Sequence, residues 1–317
     1  MKQNARTIGI IGTGMMATGL AVLTSGHGFK TIVLVRSENS KSRCIDVIDK
    51  YYQQMIDQNI ISENQVQICK SYISYTDTYS DLSESECIFE CVVENLEVKQ
   101  EVYKLIEGNC PNVKAICSVS SSIVPNELAK VATKYSNRIL VTHPFNPPHL
   151  VPFFEICTAD NTETECFEYV KKLLNELDRK IAVLKKPTPG FIGNRLQFAL
   201  WRECLALVEE GICEPEDIDT ALNYSFCPRY TSIGIFQHFD NGGLELNATT
   251  CKATWPIISD RKDIPDFMKK LMDEGKMGAK SPSKQGFYDW NNVDMDAYSR
   301  RVSEPYWKFC KWEFPTE

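Results

Sequence analysis

Residues 7–23, TIGIIGTGMMATGLAVL, decide the fold. Thr7 to Ile11 is a short apolar run that ends in glycines, and Met15 to Leu23 is apolar enough to form a buried helix, so the stretch reads as strand, turn, helix. Gly12, Gly14 and Ala17 make a GxGxxA pattern at that turn. There a backbone without side chains lets a pyrophosphate approach the unpaired N–H groups of a helix N-terminus. Met15 and Met16, which open the helix, join the glycines as cofactor-contacting candidates. A turn that merely packs the first helix closely has the same letters; the position at the first βα turn of an alternating chain favours the dinucleotide.

Outward from this unit the alternation continues. Apolar runs recur at Thr31 to Val35, Cys87 to Val93, Lys114 to Val119 and Ile139 to Val141, separated by helical segments, which implies a parallel sheet. After Pro187 strands become scarce. Ile192, Leu196, Leu200, Cys204 and Leu207 recur at helical spacing up to Gly211, and Asp263 before Pro265 reads as the N-cap of another helix through Leu271. The expected fold is α/β: a doubly wound Rossmann-type sheet over residues 1–186, followed by an all-helical domain over residues 187–317, with the boundary near 184–190.

Composition narrows the function classes. Hydrophobic residues make up 43% and charged residues 24% of the chain, as in globular proteins, and no stretch approaches the roughly 18 apolar residues of a membrane span. A net charge of −7 argues against a general nucleic-acid binder, which needs clustered Lys and Arg. Gly9, Gly12 and Gly14 break the N-terminal apolar run, so it reads as structure and not as a secretory signal. Thirteen cysteines, an odd number without CxxC pairs, point to a reducing, cytoplasmic compartment and to no metal.

At the end of the second strand, where NAD enzymes carry an acid for the ribose hydroxyls about 20 residues after the glycines, stand Arg36 and Ser37. An arginine attracts a 2′-phosphate that an acid would repel, so NADP(H) is favoured, with NAD(H) as the alternative and Lys41 and Arg43 assisting. Arg36 can equally be a solvated residue or stack on the adenine of either cofactor. Among four histidines, His143 follows an apolar run directly and should emerge at the carboxyl edge of a strand, where open α/β sheets place ligands. Glu155, on a further strand-like run, can return beside its imidazole to orient it.

The runs VTHPFNPPHLVPFFEI, ECVVENLEVKQEV, CSVSSSIVP, TPGFIGNRLQFALWRECLALVEEG and KSPSKQGFYDW, in this order, resemble the 3-hydroxyacyl-CoA dehydrogenase family across nearly the whole chain. The resemblance implies an active site of His143, Glu155, Ser121 and Asn194, with Ser122 one alignment step from Ser121. It places Glu90, Glu94 and Lys99 beside the cofactor, although Glu94 also suits a plain helix-start acid, and makes Asn146 a substrate-binding candidate. Asn194 falls inside the first long helix after the boundary, where its propensity is poor and burial would demand a partner. The resemblance also implies a homodimer and a small-molecule substrate, with 3-hydroxyacyl-CoA (3-hydroxybutyryl-CoA-like) the first expectation.

Two features lean toward a free 3-hydroxy acid, L-gulonate-like or carnitine-like. The segment after the second strand is acidic and offers only Lys50 after Arg43, and Arg229 can fork onto a substrate carboxylate, or else serve a helix-end salt bridge. The absence of lysine between Thr188 and Leu207 sets aside the relatives that use a catalytic lysine there. A non-catalytic dinucleotide-binding or structural protein is the remaining expectation, disfavoured by His143, Glu155 and Asn194 standing together.

Overall fold

The computed structural model describes residues 4–309 and 311–316. In chain order the first part runs β1 (Asn4–Ile11), α1 (Met15–Gly26), β2 (Phe29–Leu34), α2 (Glu38–Asp57), α3 (Glu63–Ser71), β3 (Ile73–Thr76), β4 (Ser85–Glu90), α4 (Leu96–Asn109), β5 (Ala115–Ser118), α5 (Pro125–Val131), β6 (Ile139–Pro144), β7 (Phe153–Thr158), α6 (Thr164–Glu176) and β8 (Lys180–Val183). The strands form one sheet in the order β3-β2-β1-β4-β5-β6-β7-β8. Every neighbouring pair is parallel except β6 with β7. Strand order reverses beside β1: the chain first builds outward through β2 and β3, then returns to lay β4 on the other side. Such a switch point opens a crevice at the carboxyl ends of the strands.

Consecutive strand residues alternate between two cores because side chains of a strand point to opposite faces. Ile10, Phe89, Cys117 and Leu140 pack with Leu20 and Leu23 of α1 and Tyr52 of α2 on one face. Ile11, Ile88, Ile116 and Val141 pack with Tyr103 and Ile106 of α4 and Leu128 of α5 on the other. Each face is covered by helices, which is why the strands read as near-continuous apolar runs.

The remaining helices are α7 (Gly193–Glu209), α8 (Pro215–Tyr224), α9 (Cys227–Tyr230), α10 (Ile235–Gly242), α11 (Leu244–Thr254), α12 (Asp266–Asp273) and α13 (Met295–Trp307). Two compact units emerge: the sheet unit, holding residues up to Ile192 together with those from Met295 onward, and a helical unit of Gly193–Asp294. The C-terminal segment, which the sequence groups with the helices, therefore belongs with the sheet. Trp307, Trp312 and Phe314 pack against the first core, Lys311 N donates to Asp178 Oδ2 at 2.7 Å, and the Trp312 ring lies where a Cβ on Gly26 would sit 2.6 Å away.

Two further corrections are local. Gly211 does close α7's turn, at φ +67°, but the N-cap position of α12 is Pro265, without a side-chain bond, and not Asp263, whose carboxylate accepts from the adjacent Ile264 N at 2.9 Å. The edge strands β3 and β8 are not apparent in the sequence, being four residues each and only partly buried. No helix among the described residues is long and apolar enough to cross a membrane.

Candidate active site

The strands β1, β4, β5 and β6 are mutually parallel, so their carboxyl ends share one edge, and the candidate groups gather there. Gly12 ends β1 at φ +126°, and a Cβ on it would lie 2.7 Å from the Cys91 carbonyl oxygen, so the neighbouring strand itself requires glycine. Gly14 differs: it is the N-cap of α1, and a Cβ there would meet nothing within 4 Å. The first turn of α1 has neither a side-chain cap nor an acidic residue. Its N–H groups and the positive end of the helix dipole thus face open space, which fits the diphosphate of a dinucleotide. Ala17 is fully buried, as the pattern's third position demands. Gly19 is a further close approach that the sequence reading missed: a Cβ would sit 2.6 Å from Pro148 Cδ. Its only signal is a glycine inside a helix, where it costs about 1 kcal/mol relative to alanine.

Around this turn, Met15 is exposed and its sulfur accepts from Asn146 Nδ2 at 3.3 Å, while Met16 is half-buried. Ser37 is the N-cap of α2, its hydroxyl accepting from Ser40 N at 3.3 Å while Ser40 Oγ accepts from Ser37 N at 3.0 Å. Arg36, by contrast, is exposed at the end of the second strand, and Lys41 is engaged by Glu38 at 3.2 Å.

His143 and Glu155 are register partners across the antiparallel pair β6 and β7, which is why a spacing of a dozen residues brings them together. Nδ1 of His143 lies 2.7 Å from Oε2 of Glu155, and both side chains are buried. Oε1 of Glu155 accepts from Ile192 N at 2.6 Å. The turn that aims this amide holds Gly190 at φ +76° and Phe191 at φ +47°, both left-handed. Phe191 is fully buried, its ring 5.3 Å from the imidazole, and Phe145 meets the imidazole edge-on at 5.5 Å. With Nδ1–H committed to the carboxylate, Nε2 is the atom left to exchange a proton. The other histidines are otherwise placed. Burial pushes His27 down to about 4 and His149 down to about 3, so the half-buried His27 and the fully buried His149 are both neutral near pH 7, and His238 Nε2 lies 3.1 Å from the Arg229 guanidinium.

The acids and serines form a second group at the same edge. Glu90, at the end of β4, and Lys99, in α4, have no exposed side-chain surface, and the ammonium lies 2.8 and 2.9 Å from the two carboxylate oxygens. Ser118 Oγ and Tyr103 OH donate to Glu90 Oε2 at 2.7 and 3.2 Å, and Val92 N donates to Oε1 at 2.9 Å. Glu90 and Lys99 are thus enclosed at this edge, each held by protein partners. Glu94 is instead partly exposed, and its Oε2 lies 3.5 Å from Lys99 Nζ. Ser122 donates its hydroxyl to Glu94 at 2.9 Å, whereas Ser121 is exposed and its Oγ makes no hydrogen bond among the described residues.

Asn194 and Arg229 belong to the helical unit. Asn194 is half-buried at the second position of α7, at the helix start and not in its interior, and Arg229 in α9 pairs with His238 and, among the described residues, with no acid. The sequence reading missed the Ile192 amide, because a backbone donor has no side-chain signature; the glycine of TPGF was the available hint.

Residues 7–187 match the NAD binding domain of 3-hydroxyacyl-CoA dehydrogenase, and residues 190–290 match its C-terminal domain. The chain is 28% identical over 272 residues to L-carnitine dehydrogenase of Mesorhizobium japonicum (strain LMG 29417 / CECT 9101 / MAFF 303099), covering 83% of this chain and 73% of that one. It is 24% identical over 285 residues to a 3-hydroxybutyryl-CoA dehydrogenase of Clostridioides difficile, covering 90% and 99%. The crystal structure of a 5-formyl-3-hydroxy-2-methylpyridine 4-carboxylic acid 5-dehydrogenase, described as an NAD+ dependent dismutase, superposes with a TM-score of 0.83 at 25% identity over 95% of this chain and 96% of that one. Its two matched domains and the parallel sheet thus make this chain a member of the 3-hydroxyacyl-CoA dehydrogenase family, a nicotinamide-dinucleotide-dependent oxidoreductase acting on CH–OH donors.

Proposed function

We propose that the protein interconverts a 3-hydroxy and a 3-oxo group with His143 as general acid/base. The observation that carries this reading is the 2.7 Å bond between His143 Nδ1 and Glu155, at the sheet edge that also holds the open Gly14 turn. A bound nicotinamide dinucleotide supplies the hydride acceptor or donor. On oxidation Nε2 of His143 takes the hydroxyl proton while the hydride leaves carbon 3; on reduction it returns that proton. Glu155 fixes the ring and stabilises the imidazolium, and the Ile192 amide fixes Glu155 in turn. Ser121, with a free hydroxyl, donates to the substrate oxygen as charge develops on it.

For the substrate, a small free 3-hydroxy acid is the reading best supported. A relative named for carnitine favours it, the relative named for a pyridine carboxylic acid is named for a free acid without CoA, and α2 carries four acids, Glu38, Asp46, Asp49 and Asp57, against Lys41, Arg43 and Lys50, a poor surface for a highly anionic CoA. A 3-hydroxyacyl-CoA, the first expectation from sequence, is the second reading, favoured by the 3-hydroxybutyryl-CoA dehydrogenase matched over 99% of its length. The exposed Arg36 in place of an acid supports NADP(H) over NAD(H). One assay tests both assignments: oxidation of L-carnitine, L-gulonate and 3-hydroxybutyryl-CoA with NAD+ and with NADP+. The expected result is turnover of a free acid, faster with NADP+. Activity on the CoA ester alone overturns the substrate, and an NAD+ preference overturns the role of Arg36.

The helical unit supports a homodimer. Tyr224, Phe236 and Ile257 are 85%, 89% and 80% exposed, and Phe236 stands on α10, which packs on α11 beside the segment holding Ile257. Apolar side chains this exposed on neighbouring elements suit burial against a second copy. Sedimentation should give about twice the 36.1 kDa chain mass, and Phe236→Asp should shift it to the monomer; a monomeric wild type sinks the proposal.

A further inference from the structure

We infer that Phe191 is a positioning residue for His143, steadying the imidazole with its ring and aiming the Ile192 amide at Glu155 with its backbone; this rests on the reading of His143 above. Phe191 N donates to Thr188 O at 3.2 Å, which closes a four-residue turn over TPGF. Its centre is Pro189 and Gly190, the pair that a type II turn calls for, and Gly190 at φ +76° supplies the left-handed residue such a turn needs. Phe191 then adds a second, at φ +47°, which the turn does not demand. A Cβ disfavours this backbone, most of all on a bulky residue. Among the described residues three other non-glycine positions share it: Asn59 and Asp178, types that tolerate it, and the exposed Lys284. Phe191 alone of the four is buried.

What the unfavourable backbone secures is visible on both sides of the residue. Its ring is anchored in the second core with Val141 of β6 and Cys157 of β7, and its centroid stands 5.3 Å from that of the His143 imidazole at a tilt of 32°. From another direction Phe145 meets the imidazole at 5.5 Å and 60°, backed by Phe153 at 5.6 Å. The imidazole is thus packed by two rings, one from the core and one from the loop after β6. On the other side, the left-handed backbone turns the next amide inward: Ile192 N reaches Glu155 Oε1 at 2.6 Å although the Ile192 side chain is exposed. Glu155 has no exposed surface, and its other oxygen holds His143 Nδ1 at 2.7 Å. A buried carboxylate needs its oxygens partnered. Withdrawal of the amide would let Glu155 turn, and Nδ1 would lose its fixed acceptor. One residue therefore governs both members of the pair, the histidine by contact and the glutamate through the neighbouring N–H. A ring that only filled the core would need no left-handed backbone.

The test reads kcat, cofactor KM and the Nδ1 proton of His143 by NMR in full-chain variants, using the substrate and cofactor pair with the highest turnover in the assay above. In the wild type that proton, shared at 2.7 Å with a buried carboxylate, should give a downfield resonance protected from solvent. Phe191→Ala keeps the Cβ and loses the ring. It should lower kcat about 10²-fold, as misplacement of a positioned group does, and should broaden the Nδ1 resonance and leave the cofactor KM unchanged. Phe191→Gly removes still more of the side chain yet reaches the left-handed backbone freely, so it should turn over faster than Phe191→Ala. Core filling alone predicts the reverse order. Phe29→Leu, which removes a buried ring at the amino end of β2, should keep the wild-type kcat and resonance. A wild-type kcat in Phe191→Ala, a slower Phe191→Gly, a loss carried by cofactor KM alone or an unaltered resonance each overturns the assignment. In a His143→Asn background Phe191→Ala should cost no more than about a further twofold, because its effect passes through the imidazole; a multiplicative loss there removes Phe191 from this role and leaves His143 in place. Should His143→Asn itself keep wild-type kcat, the assignment of His143 is what falls, and the positioning role falls with it. If Phe191→Ala does not fold, Phe191→Leu should show the same losses at smaller amplitude, and behaviour matching Phe29→Leu is equally fatal.

Discussion

Replacing His143 with alanine lowers kcat by about 10² to 10⁴, the range that a positioned general acid/base contributes. The size of the loss follows from the geometry. Nδ1 is bonded to Glu155 at 2.7 Å, so the ring has one orientation and one tautomer, and no other histidine can substitute. His149 is buried and neutral, His27 is half-buried and neutral, and His238 is placed against Arg229 in the helical unit. Because alanine would also strand the buried Glu155 carboxylate, His143→Asn is the companion variant: its amide can still donate to Glu155 but cannot take a proton at neutral pH. Both variants should retain cofactor binding, measured by fluorescence titration, and His143→Asn should unfold near the wild-type temperature. A loss below tenfold in the folded asparagine variant would remove His143 from the chemistry.

Much of this site was legible in the residues alone, and what was not has physical reasons. The glycine turn is readable because the left-handed backbone at Gly12, under the Cys91 carbonyl, excludes a side chain, whereas Gly14 has room for a Cβ and is marked only by its place before α1. His143 and Glu155 are readable as members of strand-like runs, but their pairing depends on an antiparallel register that no local pattern encodes. Arg36 was assigned on charge, which survives in an exposed side chain. The enclosure of Lys99 and Glu90 was not legible, because a charged pair in a sequence looks alike whether it faces solvent or the core, and only the packing of α4 against β4 and β5 reveals it. The placement of Met295 onward with the sheet was hidden for a related reason: aromatic residues such as Trp307 and Trp312 announce burial without naming the surface they cover.

The enclosed pair carries the largest expected effect on stability. Lys99→Met should destabilise the fold by about 3–5 kcal/mol, since removing one partner of a buried ion pair leaves the other charge uncompensated. Three neutral donors, from Ser118, Tyr103 and Val92, would remain on Glu90, which is why the chain should still fold, but none of them supplies a positive charge. The penalty belongs to the stranded carboxylate and not to the lost contact, so removing that charge too should recover most of the stability: Lys99→Met combined with Glu90→Gln should unfold within about 1–2 kcal/mol of the wild type, because a neutral pair of similar volume is often tolerated where a lone ion is not. Denaturant unfolding of the two single variants and the double variant measures the coupling. Were the double variant as unstable as the sum of the singles, the pair would not be acting as one electrostatic unit. Activity separates the pair from a merely structural core, because Lys99 also faces Glu94 at 3.5 Å. The double variant should remain slow even when stable, since it restores the neutrality of the core without restoring the cation beside Glu94, whose carboxylate accepts from Ser122.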